Sequence, residues 1–141
     1  MTTTIRVADL MTEGVITVRP FDTLEDVFEL MSENKIRHIP VVNADGELEG
    51  LVTHRDLVGK ALFAMNDVPL SVEKNLLRET RVSEAMTVEP DTIEADASLS
   101  DAARIILENK YGCLPVMENT KLVGIITEAD FVKYTLQQLG D

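Results

Sequence analysis

The chain has 141 residues, of which 13 are Lys or Arg and 25 are Asp or Glu, giving a net charge of −12. This charge argues against nucleic acids and anionic membranes as partners, because phosphate binding rests largely on Lys and Arg. No apolar run approaches the roughly 20 residues of a membrane span, and the single cysteine excludes a disulfide framework within the chain. The composition therefore predicts a protein of the reducing cytoplasm.

The first half of the chain predicts, in order, a strand, a helix, two strands and a helix. Thr23 is a good N-cap for the first helix, and a turn rich in Asn, Asp and Gly at residues 43–46 separates the second and third strands. The second helix is predicted to begin near His54. The three strands are predicted over residues 15–18, 39–42 and 48–53. Helical spacing is shown by the apolar stripe Leu24, Val27, Phe28, Leu30 and Met31.

Residues 57–81 join the two halves and carry weaker signals. The helix that begins near residue 54 is predicted to continue over residues 57–65 and to end before Pro69, since proline breaks helices. A further short helix is predicted over residues 71–81. We expect this connector to pack against the rest of the module or against a second copy of the chain.

The second half repeats the first. A shift of 75 positions aligns the Met-Thr pairs at 11–12 and 86–87, and a shift of 74 aligns Gly50 with Gly124. The missing residue falls in a polar turn, where length changes are tolerated. A repeat of about 50 residues is marginal by itself, so we expect the two to pack together in a mixed α+β fold. The predicted division is repeat one at 1–66, a helical connector at 67–81 and repeat two at 82–141.

One motif occurs at the same place in both repeats, at residues 50–56 and 124–130, and reads Gly, two apolar residues, Thr, two variable residues, Asp. Glycine permits close backbone approach to a ligand. The Thr lies where a strand gives way to a helix, and exposed N–H groups there favour a phosphate. The Asp, one turn later, is suited to accept from both ribose hydroxyls. The alternative is a helix cap in each repeat, formed by Thr53 with Asp56 and by Thr127 with Asp130.

Together with the Met-Thr openings and a strand that ends in Pro-Val, the two motifs resemble those of paired CBS domains over residues 7–135. The resemblance implies two repeats related by a pseudo-two-fold axis, with clefts between them that bind AMP, ADP, ATP or S-adenosylmethionine in many members. It implies a regulatory module that needs no cofactor, is not an enzyme, commonly forms a homodimer and modulates a partner protein.

The first cleft is expected to be cationic, because Arg37, His38, His54 and Arg55 are predicted to border it. Such a basic group suits phosphates; the alternative is a set of solvated side chains at element ends. The resemblance places adenine against the two extended segments of this repeat, where core packing is the competing role. The candidate set for this cleft is Ile16, Thr17, Val18, Arg37, His38, Ile39, Pro40, Thr53, His54, Arg55 and Asp56.

The second cleft lacks these cations. Tyr111, Gly112 and Cys113 stand at the Arg37, His38 and neighbouring positions, and Glu128 and Ala129 replace His54 and Arg55. A polyphosphate would meet Glu128, so we predict that nucleotide occupies the first cleft first. The second cleft is expected to hold adenosine with a cationic tail, or nothing. Its candidate set is Thr92, Ile93, Cys113, Leu114, Pro115, Thr127 and Asp130.

Other functional classes have less support. A metal site from His38, His54 and Asp56 fits no familiar ligand spacing, so no metal is predicted. No catalytic signature is present. The main alternative is a ligand-free scaffold that dimerises through its helices, which the Met and Leu content of residues 57–77 favours. The sequence does not name the regulated partner or choose among the four ligands.

Overall fold

A computed structural model describes residues 4–57 and 76–140. They form two compact units, a central unit that lies within Ile16–Pro90 and a terminal unit that lies within Met1–Val15 and Asp91–Asp141. Residues 54–57 and 76–79 are helical, and none of the described helices is long and apolar enough to span a bilayer. The named elements are α1 (Val7–Leu10), α2 (Leu24–Asn34), β1 (His38–Val42), β2 (Leu48–Thr53), α3 (Val82–Ala85), β3 (Thr87–Val88), β4 (Ile93–Glu94), α4 (Leu99–Asn109), β5 (Cys113–Glu118), β6 (Lys121–Thr127) and α5 (Glu128–Leu139).

The central unit contains a three-stranded sheet in the order β1-β2-β3, with both neighbouring pairs antiparallel. The strands predicted over 39–42 and 48–53 are therefore confirmed. The extended segment at 15–18 joins the sheet through Val18, whose N–H donates to Pro40 O at 3.1 Å and whose carbonyl accepts from the Val42 N–H at 2.9 Å. This contact lays residues 16–18 beside β1.

Helix α2 begins as the sequence predicts. The Thr23 hydroxyl accepts from the Asp26 N–H at 3.2 Å, and the Asp26 carboxylate accepts from the Thr23 N–H at 3.1 Å. The helix buries Leu24, Val27 and Met31 against the sheet. Phe28 departs from the predicted apolar stripe, because its side chain is 50% exposed. It lies at the edge of the stripe, where helical spacing alone does not separate a buried side chain from an exposed one.

The terminal unit repeats this plan with the sheet order β4-β5-β6, in which β4 and β5 are parallel and β5 and β6 are antiparallel. Ser98 caps α4 as predicted, by accepting from the Asp101 N–H at 3.2 Å. Helix α4 packs Leu99, Ala102 and Ile106 into a core with strands β4 to β6.

The opening segment of each sequence repeat packs in the unit formed by the other repeat. Val7 of α1 is completely buried in the terminal core, and the Thr12 backbone pairs with Ile125. Val82 of α3 is completely buried in the central core, and β3 pairs with β2. Compact packing therefore divides the chain after Val15 and Pro90, whereas the division at 66 and 81 follows the sequence repeats and stays a prediction. The boundary at 66, the break at Pro69 and the connector helices at 58–75 lie outside the described residues.

Candidate functional site

Each candidate site is built at a corner where a strand ends and a helix begins. In the central unit His38 pairs with Thr53, and the His54 N–H donates to Arg37 O at 2.8 Å. In the terminal unit Cys113 pairs with Thr127, and the Glu128 N–H donates to Gly112 O at 3.1 Å. We call these the central corner (residues 37–38 and 53–56) and the terminal corner (residues 112–113 and 127–130). The two corners have the same backbone arrangement.

In the central corner Thr53 and Asp56 form a helix cap. The Asp56 Oδ2 atom accepts from the Thr53 N–H at 2.8 Å and from its hydroxyl at 3.1 Å, and the Asp56 N–H donates to the Thr53 hydroxyl at 3.3 Å. The capping role that competed with ligand binding is therefore present. The cap uses only the Oδ2 atom of Asp56. Within residues 4–57 and 76–140, the Oδ1 atom of Asp56 accepts no hydrogen bond.

The terminal corner has the same cap and one further contact. Asp130 Oδ2 accepts from the Thr127 N–H at 2.9 Å and from its hydroxyl at 3.3 Å. Asp130 Oδ1 accepts from the Thr12 hydroxyl at 3.1 Å. Asp130 is 6% exposed, whereas Asp56 is only partly buried. The sequence marks Thr12 only as part of the repeat, since nothing local links two residues 118 positions apart.

The two motif glycines, Gly50 and Gly124, are in close contact with the Met-Thr segments of the protein. A Cβ atom on Gly50 would lie 2.5 Å from Met86 Sδ and 2.8 Å from Thr87 O. A Cβ atom on Gly124 would lie 2.6 Å from Met11 Sδ. These contacts within the protein are enough to require glycine at both positions, so close approach of a ligand to the glycines stays a prediction. The two glycines allow the Met-Thr segments to cross the second strand of each hairpin at short distance.

Four basic side chains lie at the central corner, as the sequence predicts. Arg37, His54 and Arg55 are exposed, and His38 is partly buried. The ion pairs found among the described residues, Arg78–Glu25 and Arg104–Asp101, leave Arg37 and Arg55 without a carboxylate partner in that part of the chain. The positive end of a helix begins at the same place, so exposed basic side chains and a helix N-terminus share this corner.

The extended segments predicted to hold adenine lie side by side in the central unit. Residues 16–18 run next to β1 through the hydrogen bonds of Val18. The side chains of Val18, Ile39 and Pro40 are buried in the core, so their competing role in packing holds. Ile16 is partly buried and Thr17 is exposed, so Ile16, Thr17 and His38 are the members of this group that reach the surface.

The terminal corner is acidic where the central corner is basic. Glu128 and Ala129 are exposed at the positions of His54 and Arg55. Cys113, at the position of His38, is buried, and burial raises the pKa of its thiol to about 12. Thr92 is exposed, whereas Ile93, Leu114 and Pro115 are buried. The buried members pack the core, which leaves Thr92, Thr127 and Asp130 as the polar candidates.

Two further features of the terminal unit have no clear signal in the sequence. The Tyr111 hydroxyl donates a hydrogen bond to the Asp91 carboxylate, and this contact raises the pKa of Tyr111. A shallow depression of about 300 Å³ lies along α4 and contains only Ile93 of the candidate residues, so we do not assign it to a nucleotide. Its lining residues are Ile93, Ala97, Asp101, Arg104, Ile105 and Glu108. Within the described ranges, no group of three or more His, Cys, Asp or Glu side chains is placed to hold a metal ion.

The profile of the CBS domain matches residues 7–62 and 82–137. The chain belongs to the CBS domain family. This membership agrees with the paired repeats and with the mixed α+β fold that the sequence predicts.

Solved structures of CBS pairs resemble this chain over nearly its whole length. AcuB from Vibrio cholerae matches with a TM-score of 0.83 and 34% identity, covering 98% of this chain and 95% of that one. CBSX2 in complex with AMP matches with a TM-score of 0.78 and 31% identity, covering 94% and 97% of the two chains. A chloroplast relative from Arabidopsis thaliana, CBSX1, is 35% identical over 93% of this chain. The chain spans 64% of the length of CBSX1.

Proposed function

We propose that this CBS pair is a regulatory sensor that binds a phosphate-bearing adenine nucleotide at the central corner and thereby modulates a partner protein. The observation that carries the proposal is the juxtaposition of a basic group with an Asp56 oxygen that no described residue occupies. Arg37, His54 and Arg55 would face the phosphates, since charge-assisted hydrogen bonds to phosphate are strong.

The remaining parts of the nucleotide have counterparts at the same corner. Asp56 Oδ1 would accept from the ribose, and the Thr53 hydroxyl lies beside it. Residues 16–18 and 38–40 would border adenine with apolar surface and backbone polar groups, as purine pockets require. A related protein, CBSX2, has been solved in complex with AMP, which supports an adenine nucleotide as the ligand class.

Among AMP, ADP, ATP and S-adenosylmethionine, the basic central corner favours the three that carry phosphate. S-adenosylmethionine carries a cationic sulfonium, which suits the terminal corner with Glu128 better. Regulation follows if the nucleotide has different affinities for two arrangements of the module, because a ligand shifts an equilibrium only by that difference. No catalytic role is proposed for either corner, and a cytoplasmic location stays a prediction from the cysteine content.

A dimerising scaffold is the second candidate, and it also rests on an observation. Helix α5 exposes Val132, Leu136 and Leu139, which are 59%, 48% and 68% exposed. Their spacing of four and three residues places them on one face of the helix. Such a face would suit a homodimer contact. The two candidates are compatible, since a sensor can also dimerise, but only the first requires Thr53 and Asp56.

The test is calorimetric titration of the purified chain with AMP, ADP, ATP and S-adenosylmethionine, repeated on the double variant Thr53→Ala, Asp56→Ala. We expect micromolar binding of at least one phosphate-bearing nucleotide and its loss in the variant. The matched control is Thr23→Ala, Asp26→Ala, which removes a cap of the same chemistry from α2 in the same unit. Losing either cap costs about 1 kcal/mol of stability, so only the loss of binding distinguishes them.

Absence of binding by all four ligands to a folded chain would contradict the sensor and favour the scaffold. Equal loss of binding in the control variant would show that the first variant acts through stability and would contradict the assignment of Thr53 and Asp56.

A further inference from the structure

Thr12 is held in place on the terminal sheet. Its N–H donates to Ile125 O at 2.8 Å, and its carbonyl accepts from the Ile125 N–H at 3.0 Å. The preceding side chain, Met11, occupies the space that a Cβ atom on Gly124 would need. Because its backbone is fixed by two hydrogen bonds, the Thr12 hydroxyl is presented to Asp130 by the fold.

The contact changes how many acceptor positions Asp130 can offer. A carboxylate has about four lone-pair positions, two on each oxygen. Thr127 fills both positions of Asp130 Oδ2, and Thr12 fills one of Oδ1. One position remains on Asp130, whereas two remain on Asp56 as far as the described residues show. A ribose diol donates two hydrogen bonds, so only Asp56 can accept both without breaking an internal contact.

The central unit contains a matched residue that lacks this contact. Thr87 aligns with Thr12 in the repeat, and Thr87 pairs with Leu51 just as Thr12 pairs with Ile125. Among the hydrogen bonds of the described residues, none joins the Thr87 hydroxyl to Asp56. Thr12 and Thr87 therefore occupy the same register position, but only Thr12 donates a hydrogen bond to the carboxylate of its unit among the described residues.

We propose that Thr12 is a specificity-determining residue that weakens ribose binding at the terminal corner by occupying Asp130 Oδ1. The inference rests on the proposed function and deepens it. Glu128 disfavours the phosphates of a nucleotide, whereas Thr12 disfavours its ribose. The second effect extends to uncharged adenosine, for which the charge of Glu128 matters little, so the two effects can be measured separately.

The experiment titrates adenosine into two proteins. The parent carries Thr53→Ala and Asp56→Ala, which remove the proposed ribose contacts of the central corner, and the second protein carries Thr12→Val in addition. Valine has the shape of threonine and keeps both backbone hydrogen bonds but has no hydroxyl. We expect the adenosine affinity of the terminal corner to rise on the order of tenfold, since a hydrogen bond to a charged group is no longer displaced. Thr12→Ser keeps a hydroxyl and should leave the affinity at the parent value.

Two controls separate a specific effect from a structural one. The gain should be smaller for 2′-deoxyadenosine, which lacks one ribose hydroxyl, whereas a general loosening of the unit would affect both ligands alike. Thr87→Val, made in the otherwise unaltered chain, should leave the adenosine affinity of the central corner unchanged. Thr12→Ala provides a second variant without the hydroxyl if valine disturbs folding, which urea unfolding would reveal.

The inference is overturned if Thr12→Val and Thr12→Ala, both folded, bind adenosine no better than their parent while the unaltered chain binds it at the central corner. In that case the proposed function stands. If the unaltered chain binds neither adenosine nor AMP, the proposed function is overturned and this inference with it.

Discussion

The central and terminal units present the same corner in two chemical environments. Thr53 with Asp56 and Thr127 with Asp130 make the same cap, with distances that agree within 0.2 Å. Around the first pair lie Arg37, His38, His54 and Arg55; the corresponding residues around the second pair are Gly112, Cys113, Glu128 and Ala129. The motif therefore supports the fold in both units, whereas the residues around it give the two corners different charges.

The motif by itself is weak evidence for ligand binding, because the fold requires its residues. Its glycines are needed because Met86 and Met11 pack against them, and its Thr and Asp are needed because a helix begins there. All of these requirements hold in both units, whether or not a ligand binds. The two corners differ instead in the two variable residues of the motif and in the residues that pair with it.

Among exchanges of residues between the two corners, the largest expected effect comes from exchanging the variable residues of the motif. His54→Glu with Arg55→Ala gives the central corner the residues of the terminal corner. We expect the AMP affinity to fall on the order of tenfold or more, because the Arg55 cation is removed and a carboxylate that repels phosphate is introduced at position 54. Calorimetry with AMP and with adenosine measures the change. Adenosine affinity should stay within about a factor of two, and an equal fall for both ligands would mean that the exchange disturbs the fold.

The reciprocal exchange, Glu128→His with Ala129→Arg, sharpens the same comparison. It should raise AMP affinity at the terminal corner, with the gain declining as salt is added, because exposed charges are screened within about 10 Å at 0.1 M ionic strength. The gain in AMP affinity should remain small while the Thr12 hydroxyl donates to Asp130 Oδ1, because that oxygen is then less available to the ribose. AMP binding that is insensitive to salt would show that phosphate charge does not govern the difference between the corners.

A smaller difference concerns Cys113, which stands where the central corner has His38. Burial raises the pKa of the folded thiol from 9.0 to about 12. The unfolded chain releases the thiol proton near pH 9 while the folded chain keeps it, so the thiol lowers stability as pH rises between these values. The slope for this group is about −1.4 kcal/mol per pH unit above pH 9. Below pH 9 the thiol stays protonated in both states and has no effect.

Urea unfolding at several pH values between 8 and about 10.5 tests this account, with Cys113→Val as the comparison. The difference in free energy of unfolding between the two proteins should change in favour of valine as pH rises. A difference independent of pH would show that the thiol ionises as readily in the folded chain as in the unfolded one.

Much of each unit could be predicted from the sequence, because its causes are local. Thr23 and Ser98 signal their caps within four residues, and the strands at 39–42 and 48–53 follow from apolar runs with a turn between them. The exchange of the opening segments between units could not be predicted, since internal similarity shows that residues 11–12 and 86–87 correspond but not which sheet they join. The Thr12–Asp130 contact depends on that exchange and cannot be predicted for the same reason.

The exposure of candidate side chains was also beyond the sequence. Ile39 and Pro40 are fully buried, whereas Ile16 and Thr17 retain surface. An apolar run predicts a strand without telling which of its residues border a ligand. The basic group at 37–38 and 54–55 was predictable, because two adjacent antiparallel strands bring the start of one and the end of the other together.

The most direct test of the account is the stoichiometry of AMP binding in two matched variants, Asp56→Asn and Asp130→Asn. Both replacements keep the size of the side chain, so each mainly removes a negative charge and one acceptor oxygen. We predict that the unaltered chain binds one AMP per chain with the higher affinity, that Asp56→Asn loses this binding and that Asp130→Asn keeps it. Two equal sites in the unaltered chain, or loss of the tighter site in Asp130→Asn alone, would contradict the account.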